Sequence, residues 1–221
     1  MKDHLIFIFY IFFIMFSTIG YGYIFSYSIN RKFLNLDIGY QGLFGFFSLV
    51  ILSVLTSFFT FHGYYHNILI HSIGILAFTF FSYNKNLYFD KKLFFILFLV
   101  LIISLYVYKN HDDFPYYHLT YALNLSENKF IIGTGNFSHG FRTFSSIFYF
   151  HSLLYLPYIK FYLFHSGPFL ILFFFNYILI NKFLNYLKKE KISFGFFFIL
   201  FSITFVNIVF YRIGEHGTDR S

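Results

Sequence analysis

The sequence predicts an all-α, polytopic transmembrane helix bundle with about six spanning helices. One or two interfacial amphipathic helices are expected in a large outer loop. Three observations carry this prediction. First, 58% of the 221 residues are hydrophobic and 11% are charged, whereas a soluble domain carries about a quarter charged residues. A soluble fold of this length could not hide so much apolar side chain. Second, the apolar runs approach the roughly 20 residues that a bilayer crossing needs. Third, basic residues gather in alternate connecting segments, the usual sign of membrane orientation.

The whole chain, 1–221, reads as one transmembrane domain. The first run, Leu5–Ile29, follows Met1-Lys2-Asp3-His4. It is too long for a signal-peptide core of about 7–15 residues and lacks a small-residue cleavage site, so it stays as the first helix. Gly20 and Gly22 give that helix a small-residue packing face. The second and third runs, 42–61 and 68–83, flank the polar stretch His62-Gly63-Tyr64-Tyr65-His66-Asn67. The fourth, 93–108, follows Lys85, Asp90, Lys91 and Lys92. The last two are 168–187 and 192–211.

Segment 144–164 is also apolar, but His151, Pro157 and Lys160 interrupt it. If it does not span, the basic segments 30–39, 84–92 and 182–191 all fall on the inner side. We therefore expect 144–157 to lie along the outer interface as an amphipathic helix, with Ser145, Ser146, His151 and Ser152 facing water or headgroups and Pro157 at its end. Loop 109–165 and the tail 212–221 then share the outer side. The expected location is the cell inner membrane, multi-pass, with loop 109–165 periplasmic.

Composition excludes several functions. With no Cys, disulfides, thiolate catalysis and Cys-based metal centres are ruled out. The net charge of +7 is spread between apolar segments, which suits membrane orientation and not nucleic-acid binding. The 41 Phe and 21 Tyr, with no Trp, accompany abundant Ile, Lys and Asn. AT-rich coding gives that mixture, so the Phe excess reads as lipid-facing filler.

Candidate chemistry sits in the outer loop. It opens Lys109-Asn110-His111-Asp112-Asp113-Phe114-Pro115-Tyr116-Tyr117-His118. Pro115 suits the first turn of a new helix, with Asp113 or Phe114 near its cap. That helix would run to about Leu125, with Tyr117, Tyr121 and Leu125 on one face. Adjacent carboxylates repel, so one can act as a proton acceptor, or the pair can hold a hard divalent cation through oxygen ligands. They also fit a solvated helix terminus. His111, His118 and His139 can join them, although no tight metal-ligand spacing is present, and a structural role suits each single His. His62, His66 and His71 read as packing or interfacial residues.

Further on, Ile132-Gly133-Thr134-Gly135-Asn136 leads to His139 and Arg142. The glycines permit tight turns and close approach to a ligand. They do not follow a strand in a βαβ unit, which excludes a dinucleotide fingerprint. Arg142 can bind phosphate oxygens bidentately.

An acidic pair just outside a membrane helix, a Tyr/His segment and two interface-lying helices together resemble the first outer loop of the GT-C membrane glycosyltransferases. The likeness is to the protein mannosyltransferase and aminoarabinose transferase group, over residues 93–165. It implies a polyprenyl-phosphate sugar donor, a cell-envelope acceptor and direct displacement. Asp112 or Asp113 would be the base or metal ligand. His111, Tyr117, His118, His139 and Arg142 would bind substrate, with Arg212 or Arg220 as further phosphate cations. No organic cofactor is implied, and a divalent cation at Asp112 and Asp113 is the one inorganic candidate. In that family the acidic loop follows the first helix, whereas here it follows the fourth. The chain is also short for such an enzyme, so an N-terminal fragment is expected. The competing reading is a non-enzymatic transporter or a polysaccharide polymerase or export partner.

Overall fold

Apolar segments have no water to satisfy their backbone groups in a membrane, so they pair those groups internally as helices. The computed structural model of the protein describes residues 2–84, 90–106, 109–110, 113–136, 139–142, 145–189, 192–209 and 215–216. They form α1 (Lys2–Ile29), α2 (Ile38–Ser57), α3 (Tyr64–Asn84), α4 (Lys91–Tyr106), α5 (Leu119–Glu127), α6 (Ser146–Leu153), α7 (Ser166–Lys188) and α8 (Phe194–Val209). The all-α expectation holds. A two-residue parallel pairing joins Lys109–Asn110 (β1) to Glu215–His216 (β2).

Four segments are long and apolar enough to cross a membrane: Lys2–Ile29, Ile38–Ser57, Tyr64–Tyr83 and Phe161–Lys188. The helices α4 and α8 have 16 residues each. That is about 24 Å of rise, less than the roughly 30 Å of a hydrocarbon core. The second helix begins at Ile38, because Asp37 caps it by accepting from the Gly39 and Tyr40 amides at 3.0 and 3.3 Å. The third begins at Tyr64, so His66 and Asn67 are helical and not part of a turn.

Glycines set the centre of the bundle. Carbonyl oxygens of neighbouring helices occupy the space where side chains would start: Gly74 O at Gly20, Gln41 O at Gly22 and Thr18 O at Gly45. The helices α1, α2 and α3 therefore meet backbone to backbone, as the small-residue face predicts. Beside them, α7 packs on α2 and α4, and α8 packs on α7.

The contacts sort the connections into two ends. At the first, Asn181 Nδ2 donates to Asp37 Oδ2 at 3.4 Å, the Asp90 amide donates to the Tyr177 hydroxyl at 3.1 Å, and Lys182 Nζ lies 5.3 Å from the Tyr40 ring centroid. At the second, the His4 and Tyr106 rings are 5.9 Å apart. There the His62 amide donates to Leu125 O at 2.9 Å, and the Phe130 amide to Ser57 O at 2.7 Å. Successive long helices therefore alternate in direction, as the sequence reading requires.

The segment around α6 departs from expectation. This helix spans only Ser146–Leu153, and Phe148, Tyr149, Phe150, His151, Ser152 and Leu153 are all buried. It packs on α2, with the Phe150 and Phe46 ring centroids 4.5 Å apart. Phe46 lies about 16 Å from the Ser57 end of α2, by the helical rise. The helix thus dips into the bundle and does not lie along its surface. His151 and Ser152 face protein, not water or headgroups. Ser152 is matched inside, as described below, while Ser146 stays exposed at the start of the helix. The helix ends before Leu154, ahead of Pro157, and a Leu156–Lys160 bridge turns the chain back.

Candidate functional site

The loop chemistry is positioned by α5. Pro115 sits in the first turn of a π-helical stretch, Phe114–His118, that runs into α5. Its fixed φ suits a helix start and its missing N–H costs nothing there. Asp113 is the residue at the N-terminal boundary, as expected, and its side chain makes no capping bond. Tyr121 and Leu125 face Phe148 and Tyr149, ringed by Tyr117, Phe130 and Phe141. The predicted Tyr117/Tyr121/Leu125 face is therefore the one that buries. Tyr121 and Tyr149 hydroxyls lie 3.3 Å apart. Burial, with Tyr121 adding to it, raises the pKa of Tyr149 and keeps it protonated.

Beside this cluster is an open cleft of about 460 Å³, walled by Tyr121, Phe130, Thr134, Asn136, Phe141 and Arg142 together with Gly133 and Gly135. Gly133 has φ +89°, a conformation glycine adopts without steric cost. Its carbonyl accepts from the Asn136 amide at 2.9 Å, closing the turn that forms one wall. Arg142 Nε donates to Gly135 O at 3.4 Å, which ties the guanidinium to the rim.

The sequence-predicted site residues divide as follows. Arg142 is exposed and lines the cleft. Asp113 is half-buried at the start of the π-helical stretch and is not among the cleft's lining residues. Tyr117 is half-buried, packed edge-on to Phe148 at 6.2 Å. His118 is buried, with its ring 4.8 Å from that of Phe148. Its packing suits support of α5 against α6. His111, Asp112, Arg212, Arg220 and the side chain of His139 lie outside the described residues. Among the described residues, no group of three or more His, Asp or Glu is placed to hold a metal ion.

A polar seam holds the site's underside, and its connectivity was not legible in the sequence. Asn67 Nδ2 donates to the carbonyls of His62, Ser152 and Tyr155 at 2.7, 2.8 and 2.9 Å. His62 Nδ1 is 2.5 Å from Ser152 Oγ and its Nε2 is 3.0 Å from Thr56 Oγ1. Burial, then the neighbouring His66, pushes the His62 pKa down to about 3. The ring is thus neutral and carries one N–H. Both neighbouring hydroxyls already donate to backbone carbonyls, Ser152 to Tyr149 O at 2.7 Å and Thr56 to Leu52 O at 2.9 Å, so the single N–H donates to one of these two oxygens. The environment of His71 selects one tautomer. Its Nε2 faces Leu153 O at 3.2 Å, which can only accept, so Nδ1 accepts from Ser17 at 3.1 Å. The packing role expected for His62 and His71 holds. The signal for the seam was present as the polar run 62–67, but its partners lie 82–90 residues away.

The chain matches no protein-family model, no curated protein and no solved structure.

Proposed function

We propose that this is a membrane glycosyltransferase-like protein of six spanning helices that transfers a sugar from a polyprenyl-phosphate donor to a cell-envelope acceptor. In this reading the end bearing α5 and α6 faces the periplasm across the inner membrane. The observation that carries it is the cleft of about 460 Å³ beside Arg142, at the same end of the bundle as Asp113. A cation tied to a glycine-shaped rim suits a phosphate group. The acid pair at the helix entrance would take the acceptor's proton as the lipid phosphate leaves. His111, His139, Tyr117 and His118 would shape the acceptor side, and a divalent cation at Asp112 and Asp113 is the one metal this reading admits. A transporter would rest on ionisable groups within the spans. His71 is the one sequence reading singled out, and its ring is occupied by Ser17 and Leu153.

Sugar transfer is tested with proteoliposomes supplied with a polyprenyl-phosphate sugar. Asp112→Asn, Asp113→Asn and Arg142→Gln each keep shape while removing a base or a cation. We expect at least one carboxamide variant to lose about 10²-fold or more in rate, and Arg142→Gln to weaken donor binding. Undiminished transfer in all three, or flux without transfer, sinks this assignment.

Orientation has its own measurement, helped by the absence of native Cys. Lys129 and Lys188 are both exposed and lie at opposite ends. An impermeant thiol reagent applied outside whole cells should label Lys129→Cys and spare Lys188→Cys. The reverse pattern overturns the topology. Ser126 is a poor probe position, being buried against Ala122 O.

A further inference from the structure

We propose that the cleft between α7 and α8 is a binding site for an anionic phospholipid, independent of any sugar chemistry at the opposite end. The cleft is open and holds about 620 Å³. Its α7 wall is formed by Leu179, Lys182, Asn185, Tyr186 and Lys189. Those positions repeat at three and four residues, so they share one face of the helix. The face extends along about 15 Å of rise, with Leu179 at its deep end and Lys189 at the helix end. Its α8 wall is Gly195, Phe198 and Ile199, again one helical face.

Each part matches one part of a phospholipid. Lys189 supplies positive charge where the chain leaves the helix, and Lys182 supplies a second charge about 10 Å of rise deeper. Asn185 and the Tyr186 hydroxyl add hydrogen-bonding groups between them. Leu179, Phe198 and Ile199 continue the cleft with apolar walls suited to acyl carbons. Gly195 keeps the mouth open, because a Cβ there would stand 2.5 Å from the Tyr186 hydroxyl oxygen. Lys182 is held in place over the Tyr40 ring, a contact that leaves its charge intact. The surrounding sequence strengthens the field: residues 182–191 hold four Lys against one Glu. Basic clefts between membrane helices at the Lys-rich end are where anionic headgroups are attracted, by about fivefold per lysine. Phe198, on the α8 wall, is exposed, as are Phe197, Phe201 and Phe205 on the same helix.

The test uses the full chain in nanodiscs of phosphatidylcholine mixed with phosphatidylglycerol. After detergent release, native mass spectrometry counts the lipids that remain bound. We expect phosphatidylglycerol to be enriched at least about fivefold over phosphatidylcholine. Added glycerol 3-phosphate should not displace it, since the acyl wall contributes. Lys182→Gln/Lys189→Gln should abolish the enrichment, while Lys91→Gln/Lys92→Gln, basic but outside the cleft, should retain it. Gly195→Leu should release lipid of both kinds. The proposal is overturned if the double cleft variant keeps the wild-type preference, or if both double variants lose it alike. It is also overturned if glycerol 3-phosphate displaces the lipid, or if the released chain is a lipid-free dimer, because a second copy would then fill the cleft.

Discussion

Gly45→Ala should destabilise the bundle by about 3 kcal/mol, near the upper end for an overpacked core. A methyl group there has nowhere to go, because the Thr18 carbonyl already occupies its position and the Gly22 amide lies 2.8 Å away. Both obstacles are backbone, so no rotamer change makes room. The two helices must separate, and the Gly22 contact with Gln41 on the same face of α1 would loosen with them. Thermal unfolding in detergent, monitored by circular dichroism, measures the effect. Phe47 is two residues along but 54% exposed, so Phe47→Ala provides the control and should melt close to wild type. If Gly45→Ala melts with that control, the close approach of α1 and α2 is wrong.

Asn67→Ala is expected to cost a similar amount, about 3 kcal/mol, by a different route. One amide group serves three carbonyls in a region the solvent does not reach. Each buried acceptor left without a donor costs about 1–3 kcal/mol. Asn67→Asp should be no better, since a carboxylate offers acceptors where the carbonyls need donors. The same melting experiment reads both variants, and protease cleavage near Tyr155 reports the expected local release of the α6 segment. Wild-type stability in both would show that Asn67 does not anchor that segment.

These two residues illustrate how far the sequence could be read. Gly20 and Gly22 announced a close-packed helix from spacing alone, because small side chains matter wherever backbones touch. The helix α5 was legible for the same local reasons: Pro115 marked its start and Tyr121 and Leu125 its buried face. The α6 segment was not. Ser146 and Ser152 are polar whichever way they point, and only distant Asn67 and His62 decide that Ser152 turns inward. Arg142 was identified from its chemistry, whereas its cleft needed Tyr121 and Phe141 to be brought together across a loop. The basic stripe of α7 was noticed as charge for orientation. Its role as one wall of a cleft required the position of Gly195 on the next helix.

The dip of α6 also imposes an order on assembly at the ribosome. Helices α1–α3 are complete once residue 84 has been made, yet Asn67 and His71 then face a gap. Their acceptors at Ser152, Leu153 and Tyr155 are not synthesised until some seventy residues later, at about 5–20 residues per second. For that interval the nascent three-helix unit carries polar groups that need a temporary partner, water or a membrane insertase among them. The α6 segment then enters sideways as a plug, and its arrival pairs these groups before α7, the next span in the chain, packs on α2 and α4.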